Sequence, residues 1–584
     1  MKIQYLNKIN SPADVKKLSV AELPVLAVEM RSALIQKLGV HGGHSGPNLG
    51  FVEATVALHY VFNSPSDKMV FDVSHQTYCH KMLTGRAEAF LDEAHYNDVS
   101  GYSEPSESEH DLFTIGHTST SVSLAAGLAK ARDLTGGKEN VIAVIGDGSL
   151  SGGEALEGLD YAGEQNTNLI VIVNDNEMSI AENHGGLYKN LRLLRETHGQ
   201  AECNMFKAWG FDYLYVEEGN DIEALIAAFQ SVKDTDHAVV VHIHTLKGKG
   251  LPFAEKDPES YHGGGPFDPA TGIYRFVPEG EDYSAMIGEY LLKKMKADPT
   301  VVALNAATPT VLGFTKPNRE KAGAQFIDVG IAEENAAAMA SGIAAYGGKP
   351  VWGVFSTFVQ RTYDQISQDI CINNSPVTIL VFGASVSFMN DVTHLGFYDI
   401  PMLSNIPNLV YLAPTNAEEL FAMTEWSVEQ RQYPVAIRVP VTVTHTEQPV
   451  TQDYGELNRY QIVQSGSGTA IIAVGSFWGM GEELAAEMEK KTGVRPTLIN
   501  PRYLTGIDAE LLSSLKQNHA RVITLEDGIL DGGFGEKIAR YYSGSDMKVS
   551  CYGLKKEFLD RYDVAEVLNK NRLTVAQILE DMGN

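Results

Sequence analysis

The sequence predicts an α/β protein of three domains, each a mainly parallel sheet flanked by helices. Apolar runs of strand length alternate with amphipathic helical stretches along the chain, and this pattern is typical of α/β layers. The alternation occurs in three blocks, separated by a Gly- and Pro-rich stretch near residue 278 and a polar stretch near residue 450. We therefore expect domains at 1–278, 279–450 and 451–584.

The strand and helix candidates support this division block by block. The first block contains strand candidates at 141–145 and 169–173. The second opens with a helical stretch at 283–298, and its strand candidates lie at 301–306, 325–330, 350–356 and 377–383. The third combines an amphipathic helix at 479–491 with strand candidates at 468–476, 494–501 and 520–527.

Composition excludes several classes of function. The 584 residues carry a formal net charge of −28, and such an excess of negative charge disfavours sequence-independent binding to nucleic acid or anionic lipid. The N-terminus lacks the apolar core of a signal peptide, and no apolar run approaches the roughly 20 residues that span a bilayer. The four cysteines are far apart and form no CxxC pair. We expect a cytoplasmic protein without nucleic-acid or membrane partners.

Small, polar and acidic residues follow the two strand candidates of the first block. Gly146-Asp147-Gly148 ends one strand, and Asn174-Asp175-Asn176 ends the next. In doubly wound sheets, ligands bind beyond the carboxyl ends of the strands, where the following helix offers free N–H groups. Asp147 and Asn176 provide oxygen ligands of the kind that Mg²⁺ prefers. A plain strand-to-helix turn is the alternative, and the pairing of the two motifs disfavours it.

This pair of motifs resembles the diphosphate- and metal-binding motif of thiamine-diphosphate enzymes. Over nearly the whole chain the sequence is similar to the 1-deoxy-D-xylulose-5-phosphate synthase family of the transketolase superfamily, in segments 42–86, 106–129, 174–180, 247–272, 328–336 and 355–370. After "NEMSI" the chain is shorter than typical members, which carry a longer mobile insertion there. The resemblance implies a transketolase-like fold, thiamine diphosphate and Mg²⁺ as cofactors, and a homodimer.

The resemblance also assigns roles to individual residues. It implies metal ligands at Asp147, Asn176 and the backbone carbonyl of Met178. It implies cofactor contacts at Gly146, Gly148, Ser149, His75, His117, Lys249 and His262. Glu333 matches the glutamate that activates the aminopyrimidine, and Phe358 matches the aromatic residue that stacks on it. His44, His394 and His117 are the implied proton-transfer residues.

The implied reaction moves a two-carbon unit from a 2-oxo acid or ketose donor to an aldehyde acceptor. In the family, the pyrimidine and diphosphate halves of the site belong to different domains, so we expect the site where the first and second domains meet. Whether one chain or two chains of the dimer provide these halves stays open.

The acceptor side departs from the family. The family's Asp-Arg pair falls on Phe382-Gly383, and its second arginine falls on Val441. Because both arginines contact the acceptor phosphate, and neither Gly nor Val replaces an Arg–phosphate fork, we expect a different acceptor. Candidate substrate residues are Arg361, Ser385, Ser387, Asn390, Asp391 and Arg438. The alternative is that a cation such as Arg438 compensates for the loss.

Three other functions remain open from sequence alone. The chain could be a transketolase with a non-standard ketose and aldose, a silent cofactor-binding paralogue, or the decarboxylating component of a 2-oxo-acid dehydrogenase. The retained carboxylates and histidines favour an active enzyme. Glycines at 474–481 follow a strand, but they lack the GxGxxG order of a nucleotide site.

Overall fold

A computed structural model describes residues 3–277 and 279–583. The predicted domain boundary at residue 278 therefore lies outside the described residues. The chain divides into two compact units, one reaching Glu279 and including Gly330–Ala332, the other beginning at Gly280 and resuming at Glu333. The second and third predicted domains share the second unit.

The first unit contains one five-stranded sheet whose strands all run parallel. Its order is β1-β2-β3-β5-β4. The strands are β1 Lys68–Phe71, β2 Val141–Gly146, β3 Leu169–Asp175, β4 Asp212–Val216 and β5 Ala238–His244. The two strands predicted in this block are present, and each extends to include part of the polar motif that follows it.

Twelve α-helices among the described residues accompany this sheet. They are α1 Pro12–Val15, α2 Leu23–His41, α3 Ser45–Gly50, α4 Val52–Val61, α5 Tyr78–Lys81, α6 Glu88–Leu91, α7 Ser121–Thr135, α8 Gly153–Glu164, α9 Gly186–Glu196, α10 Met205–Ala208, α11 Ile222–Val232 and α12 Pro252–Lys256. Residues of β3 are buried along its whole length, as expected for a parallel strand covered on both faces.

The second unit contains two sheets. The six-stranded sheet has the order β10-β11-β9-β8-β6-β7 and is parallel throughout. Its strands are β6 Val301–Asn305, β7 Phe326–Asp328, β8 Lys349–Phe355, β9 Thr378–Phe382, β10 Val410–Leu412 and β11 Val435–Arg438. Its helices are α13 Tyr283–Ala297, α14 Lys316–Ala322, α15 Glu333–Ala345, α16 Ser356–Val359, α17 Tyr363–Gln365, α18 Asp399–Leu403 and α19 Ala417–Glu429.

The five-stranded sheet of this unit has the order β12-β14-β13-β15-β16, with only β12 antiparallel to its neighbour. Its strands are β12 Gln461–Gln464, β13 Gly468–Ala473, β14 Thr497–Asn500, β15 His519–Ile529 and β16 Lys548–Leu554. Its helices are α20 Trp478–Thr492, α21 Ala509–Leu515, α22 Phe534–Tyr542, α23 Val564–Lys570 and α24 Val575–Gly583. The predicted α/β class is confirmed.

Two local features of this third sheet relate to its sequence: a strand that was not predicted and a glycine at a close contact. Strand β12 escaped prediction because it is a short, half-exposed edge strand between polar residues. A Cβ at Gly481 would lie 2.6 Å from Ala473 Cβ, so this glycine allows α20 to pack closely on β13. None of the described helices is both long enough and apolar enough to span a membrane.

Candidate active site

The two polar motifs of the first unit lie side by side at the ends of neighbouring parallel strands. Gly146 is in register with Asn174, and Asp147 N donates to Asn174 O over 3.1 Å. A Cβ at Gly148 would lie 3.0 Å from Ser179 Oγ, so glycine lets the two motifs approach closely. The sheet thus brings together the residues that the spacing predicted to be neighbours.

Asp147 is buried, at 1% exposure. Its Oδ2 accepts a hydrogen bond from Asn183 Nδ2 over 2.6 Å. Burial raises the pKa of Asp147 well above its ordinary value, the nearby Asp175 raises it further, and Lys247 opposes them. An added cation would stabilise the ionised form of a carboxylate in such surroundings.

The other two predicted metal ligands form the turn that follows β3. Asn176 Oδ1 accepts from Met178 N over 3.3 Å. Tyr188, on α9, donates its hydroxyl to the backbone oxygens of Asp147 and Gly148 over 3.3 and 3.2 Å. Sequence reasoning identified neither Asn183 nor Tyr188, although both follow "NEMSI" within the segment that is shorter than in the family.

Asp175 lies between the two asparagines of the predicted metal motif, which is Gly146–Gly148 with Asn174–Asn176, and anchors it. Its Oδ2 contacts His242 Nε2 over 2.9 Å and pairs with Arg195 of α9. Burial alone would raise the pKa of Asp175, but the hydrogen bond with His242 and the charge of Arg195 lower it. The ionised carboxylate therefore ties β3 to β5 and to α9.

Asp72 holds the segment that contains His117. It follows β1, and its two carboxylate oxygens accept from Ser119 N over 2.7 Å and Ser121 N over 2.9 Å. Ser119 Oγ in turn donates to Ser149 O over 2.8 Å. The half-buried His117 thus precedes a loop that is linked to the metal motif. An acidic residue directly after a strand is the signal that could have identified Asp72.

Three predicted histidines form a cluster in the first unit. The ring centroids of His44 and His75 lie 5.2 Å apart, and His262 lies 5.4 Å from His75 and 6.1 Å from His44. Asn48, which the sequence analysis did not single out, donates from Nδ2 to the backbone oxygens of His44 and His75, each over 2.7 Å. Burial, followed by the charge of Lys247, lowers the pKa of His262 well below its ordinary value.

The backbone before His75 is strained. Val73 and Ser74 have φ values of 57° and 62°, in the left-handed region that a β-branched valine rarely adopts. Each such residue costs about 1–3 kcal/mol and persists only where its surroundings impose it. Here Ser74 Oγ donates to Ile115 O over 2.7 Å and helps to hold this conformation.

Lys249 pairs with a carboxylate of the first unit, and its contact with the cofactor stays a prediction. Its amino group lies 3.1 Å from Glu53 Oε1 and donates to Asn220 O over 3.2 Å. The neighbouring Lys247 is the buried lysine whose charge acts on Asp147. Burial lowers the pKa of Lys247 to about 8. The "KGKG" segment contains both lysines, and local sequence does not show which of them lies near Asp147.

The first unit has features that fit a polar cofactor. A Cβ at Gly146 would meet no heavy atom within 4 Å, so space is open beside the metal motif. Several buried polar atoms in the predicted segments find no hydrogen-bond partner among the described residues: Gln76 Oε1, Thr120 Oγ1, Asn183 Oδ1 and His262 Nδ1. Such atoms are rare in folded proteins unless a ligand or water satisfies them.

In the second unit, Glu333 is the first residue of α15 and is 3% exposed. Its Oε2 lies 3.5 Å from Arg361 Nη1. Burial raises the pKa of Glu333, and the charge of Arg361 opposes the rise. A carboxyl group with a raised pKa is suited to proton exchange near neutral pH.

Phe358 lies between two rings in the second unit. Its centroid is 5.9 Å from that of Phe355 and 5.8 Å from that of His394, both in edge-on geometry. His394 Nδ1 is 2.8 Å from Thr393 Oγ1 and 3.9 Å from Asp391 Oδ1. The structure therefore groups the predicted stacking residue with one of the predicted proton-transfer histidines.

The structure corrects the prediction that Arg438 contacts substrate. Its Nε donates to Asp399 Oδ2 over 2.7 Å, and its Nη1 pairs with Asp527. The side chain is buried, and the two carboxylates neutralise its charge. Arg438 is therefore a structural ion-pair residue and does not replace the missing arginines.

Four further acceptor candidates lie on the loop after β9, and Arg361, the last candidate, lies beside Glu333. Ser385 is buried, and its Oγ accepts from Ser387 N over 3.1 Å. Asn390 Nδ2 donates to Tyr562 O over 3.0 Å. Asp391 Oδ1 accepts from Thr393 N over 2.9 Å. Ser387 is exposed. None of these four side chains provides a positive charge.

Comparison with known families matches three segments of the chain. Residues 6–204 match the 1-deoxy-D-xylulose-5-phosphate synthase model, residues 280–445 the transketolase pyrimidine-binding domain, and residues 458–578 the transketolase C-terminal domain. A 1-deoxy-D-xylulose-5-phosphate synthase from Symbiobacterium thermophilum is 38% identical and covers 98% of this chain and 93% of its own length. One from Caldanaerobacter subterraneus is also 38% identical, covering 98% of each chain.

The fold and the domain matches define a transferase of the transketolase type, an enzyme that transfers two-carbon units with thiamine diphosphate. This class implies thiamine diphosphate and a divalent metal as cofactors. Within it, the chain belongs to the 1-deoxy-D-xylulose-5-phosphate synthase family.

Proposed function

We propose that this enzyme, with thiamine diphosphate and Mg²⁺, transfers the two-carbon unit of pyruvate to an aldehyde that carries no phosphate. The observation that supports this proposal is a contrast between the residues assigned to the cofactor and those at the acceptor-binding positions. The cofactor residues Asp147 and Glu333 are retained and buried. The positions of the two phosphate-binding arginines hold Gly383 and Val441, and Arg438 is bound to carboxylates.

The metal and the diphosphate are assigned to the first unit. Asp147, the amide oxygen of Asn176 and the carbonyl of Met178 would hold Mg²⁺, which prefers oxygen ligands. The backbone at Gly146, Gly148 and Ser149 would approach the diphosphate, with Lys247 offsetting its negative charge. His75, His117 and His262 would contact the cofactor. When bound, thiamine diphosphate supplies the electron sink that allows the bond beside the donor carbonyl to break.

The chain itself supplies proton transfer and orientation. Glu333 would hydrogen-bond the aminopyrimidine and exchange a proton with it, and its raised pKa favours this role. Phe358 would orient the pyrimidine ring by stacking. His44 and His394 are the candidates to deliver a proton to the aldehyde oxygen, because imidazole titrates near physiological pH.

The acceptor proposal rests on charge. An Arg–phosphate contact is a charge-assisted hydrogen bond worth about 1.5–3 kcal/mol. Loss of two arginines would therefore weaken the binding of a phosphorylated aldehyde by a few orders of magnitude, because no residue on the loop after β9 replaces them. Residues 378–396 contain no lysine or arginine.

Steady-state kinetics with pyruvate tests this proposal. D-Glyceraldehyde 3-phosphate should be compared with D-glyceraldehyde and other short aldehydes, with release of CO₂ and formation of the hydroxyketone measured together. We expect turnover without any lipoyl carrier and a higher kcat/KM for the unphosphorylated acceptors. A hundredfold preference for the phosphorylated aldehyde would contradict the proposal and show that the enzyme catalyses the standard family reaction.

The same assay separates the other candidate functions. A silent paralogue would bind cofactor in calorimetry without releasing CO₂. A dehydrogenase component would need a lipoyl carrier, and a transketolase would consume a ketose but no pyruvate. Light scattering would test the expected homodimer.

A further inference from the structure

Phe388 covers the position of the missing first arginine. Gly383, which stands at that position, has a φ of 66°. A Cβ built on Gly383 would lie 2.4 Å from Phe388 Cδ1 and 2.6 Å from its Cε1. Atoms do not approach so closely, so a side chain at residue 383 requires Phe388 to move. The glycine and the phenylalanine therefore form one packing arrangement.

The Phe388 ring also belongs to a series of packed aromatic residues in the second unit. Its centroid is 5.4 Å from that of Phe355. Phe355 in turn contacts Phe358, the residue assigned to stack on the pyrimidine, at 5.9 Å. Phe388 keeps 40% of its surface exposed. Part of an apolar ring is therefore available to a ligand next to this aromatic series.

Hydrogen bonds hold the loop on both sides of Phe388. Tyr562 donates its hydroxyl to Val386 O over 2.8 Å and to Met389 O over 2.9 Å. Arg561 N donates to Asn390 O over 2.6 Å. Because these contacts involve the backbone, they fix the loop whichever side chain occupies residue 388.

The charges on the loop also favour an acceptor without a phosphate. Asp391 is its only acidic residue, and residues 378–396 contain no lysine or arginine. Burial alone would raise the pKa of Asp391, but hydrogen bonds with His394 and Thr393 lower it. Asp391 therefore brings a negative charge to the loop, which repels a phosphate and has no effect on an alkyl or aryl group.

We propose that Phe388 determines acceptor specificity, and that the acceptor is an aldehyde whose distal part is an alkyl or aryl group packed on this ring. This inference rests on the proposed function. In the reaction, the bond between C1 and C2 of pyruvate breaks and CO₂ leaves. The electron pair forms the new bond to the aldehyde carbon, and the aldehyde oxygen takes up a proton. The products are a 2-hydroxy ketone and CO₂.

Ratios of kcat/KM test the proposal, because a ratio cancels any loss of active enzyme. Pyruvate should be paired with butanal, benzaldehyde, D-glyceraldehyde and D-glyceraldehyde 3-phosphate. We expect Phe388→Ala to lower the butanal-to-glyceraldehyde ratio about tenfold or more, mainly through KM, since an apolar contact of this size discriminates to that extent. Phe388→Leu should retain most of the ratio. Phe276→Ala, which truncates a phenylalanine that is 74% exposed in the first unit, is the matched control and should leave the ratio unchanged.

A double variant tests the link with residue 383. Gly383→Arg alone should raise kcat/KM for glyceraldehyde 3-phosphate only slightly, because Phe388 occupies the space. Gly383→Arg combined with Phe388→Ala should raise this kcat/KM about tenfold over that of the single variant. An unchanged butanal ratio in Phe388→Ala would overturn the inference while leaving the proposed function intact. Absence of pyruvate turnover with every aldehyde, despite bound cofactor, would instead overturn the proposed function.

Discussion

Arg438 Nε donates to Asp399 Oδ2 over 2.7 Å in the interior of the second unit. Asp527 pairs with the same guanidinium from strand β15, so the ion-pair cluster joins the two sheets of this unit. Tyr411 adds a hydrogen bond to Asp399. The arginine that the sequence offered as a substitute phosphate ligand is a component of the folded core.

Replacement of Arg438 should therefore affect stability first. Arg438→Met leaves two buried carboxylates without their cation, and breaking a buried pair in this way costs about 3–5 kcal/mol. Urea denaturation should show the loss. Arg459→Met is the matched control, because Arg459 pairs with Glu510 at the surface and such pairs contribute about 0–1 kcal/mol. Equal effects of the two substitutions would contradict the structural role of Arg438.

Glu333→Gln should separate cofactor binding from activation. The change is nearly isosteric, so thiamine diphosphate and Mg²⁺ should bind with affinities within a few-fold of wild type. Pyruvate turnover should fall about a hundredfold or more, because Gln cannot exchange a proton. Glu334→Gln, one residue further along α15, is the control. Near-wild-type turnover in Glu333→Gln would show that this carboxyl group is not the activating one.

Asp147→Ala should abolish tight cofactor binding, and EDTA should mimic it. Without the carboxylate, the metal loses a ligand and the diphosphate loses its bridging cation. Asn183→Ala should have a smaller effect, about 10–100-fold in Mg²⁺ affinity, because Asn183 only orients Asp147. Calorimetry would measure both, with the exposed Asp160→Ala as control. Unchanged affinity in Asp147→Ala would remove this residue from the metal site.

Lys37 should make stability depend on alkaline pH. Its side chain is buried, with Nζ 3.0 Å from Ala89 O. Burial, with the nearby Lys81, lowers the pKa of Lys37 from 10.5 to about 8. Between these values the unfolded state binds more protons than the folded state, so the free energy of unfolding should rise with pH, by about 3 kcal/mol at most.

Urea denaturation from pH 8 to 10.5 would measure this rise in wild type, in Lys37→Met and in the control Lys293→Met, whose lysine is exposed on α13. The slope should become shallower in Lys37→Met and stay unchanged in the control, because Lys247, whose pKa burial also lowers to about 8, keeps its own contribution. The same slope in all three proteins would assign it to other groups.

The sequence by itself determined the α/β class, most of the strands of the second and third sheets, and the polar motifs that follow two strands of the first sheet. These features depend on local patterns. A buried parallel strand needs a continuous apolar run, and the motif at its end needs glycine, aspartate and asparagine at adjacent positions. Gly146, Asp147 and Asn176 could therefore be predicted as site residues without knowing what packs around them.

Only the tertiary structure decided which charges are neutralised. Arg438 meets Asp399 and Asp527 at separations of 39 and 89 residues, and no local pattern shows such partners. The same holds for the ion pair of Lys249 with Glu53 and for the hydrogen bond that Asn183 gives to Asp147. An ionic or hydrogen-bonding side chain acts over a few ångströms, so its role depends on what the fold brings within that distance.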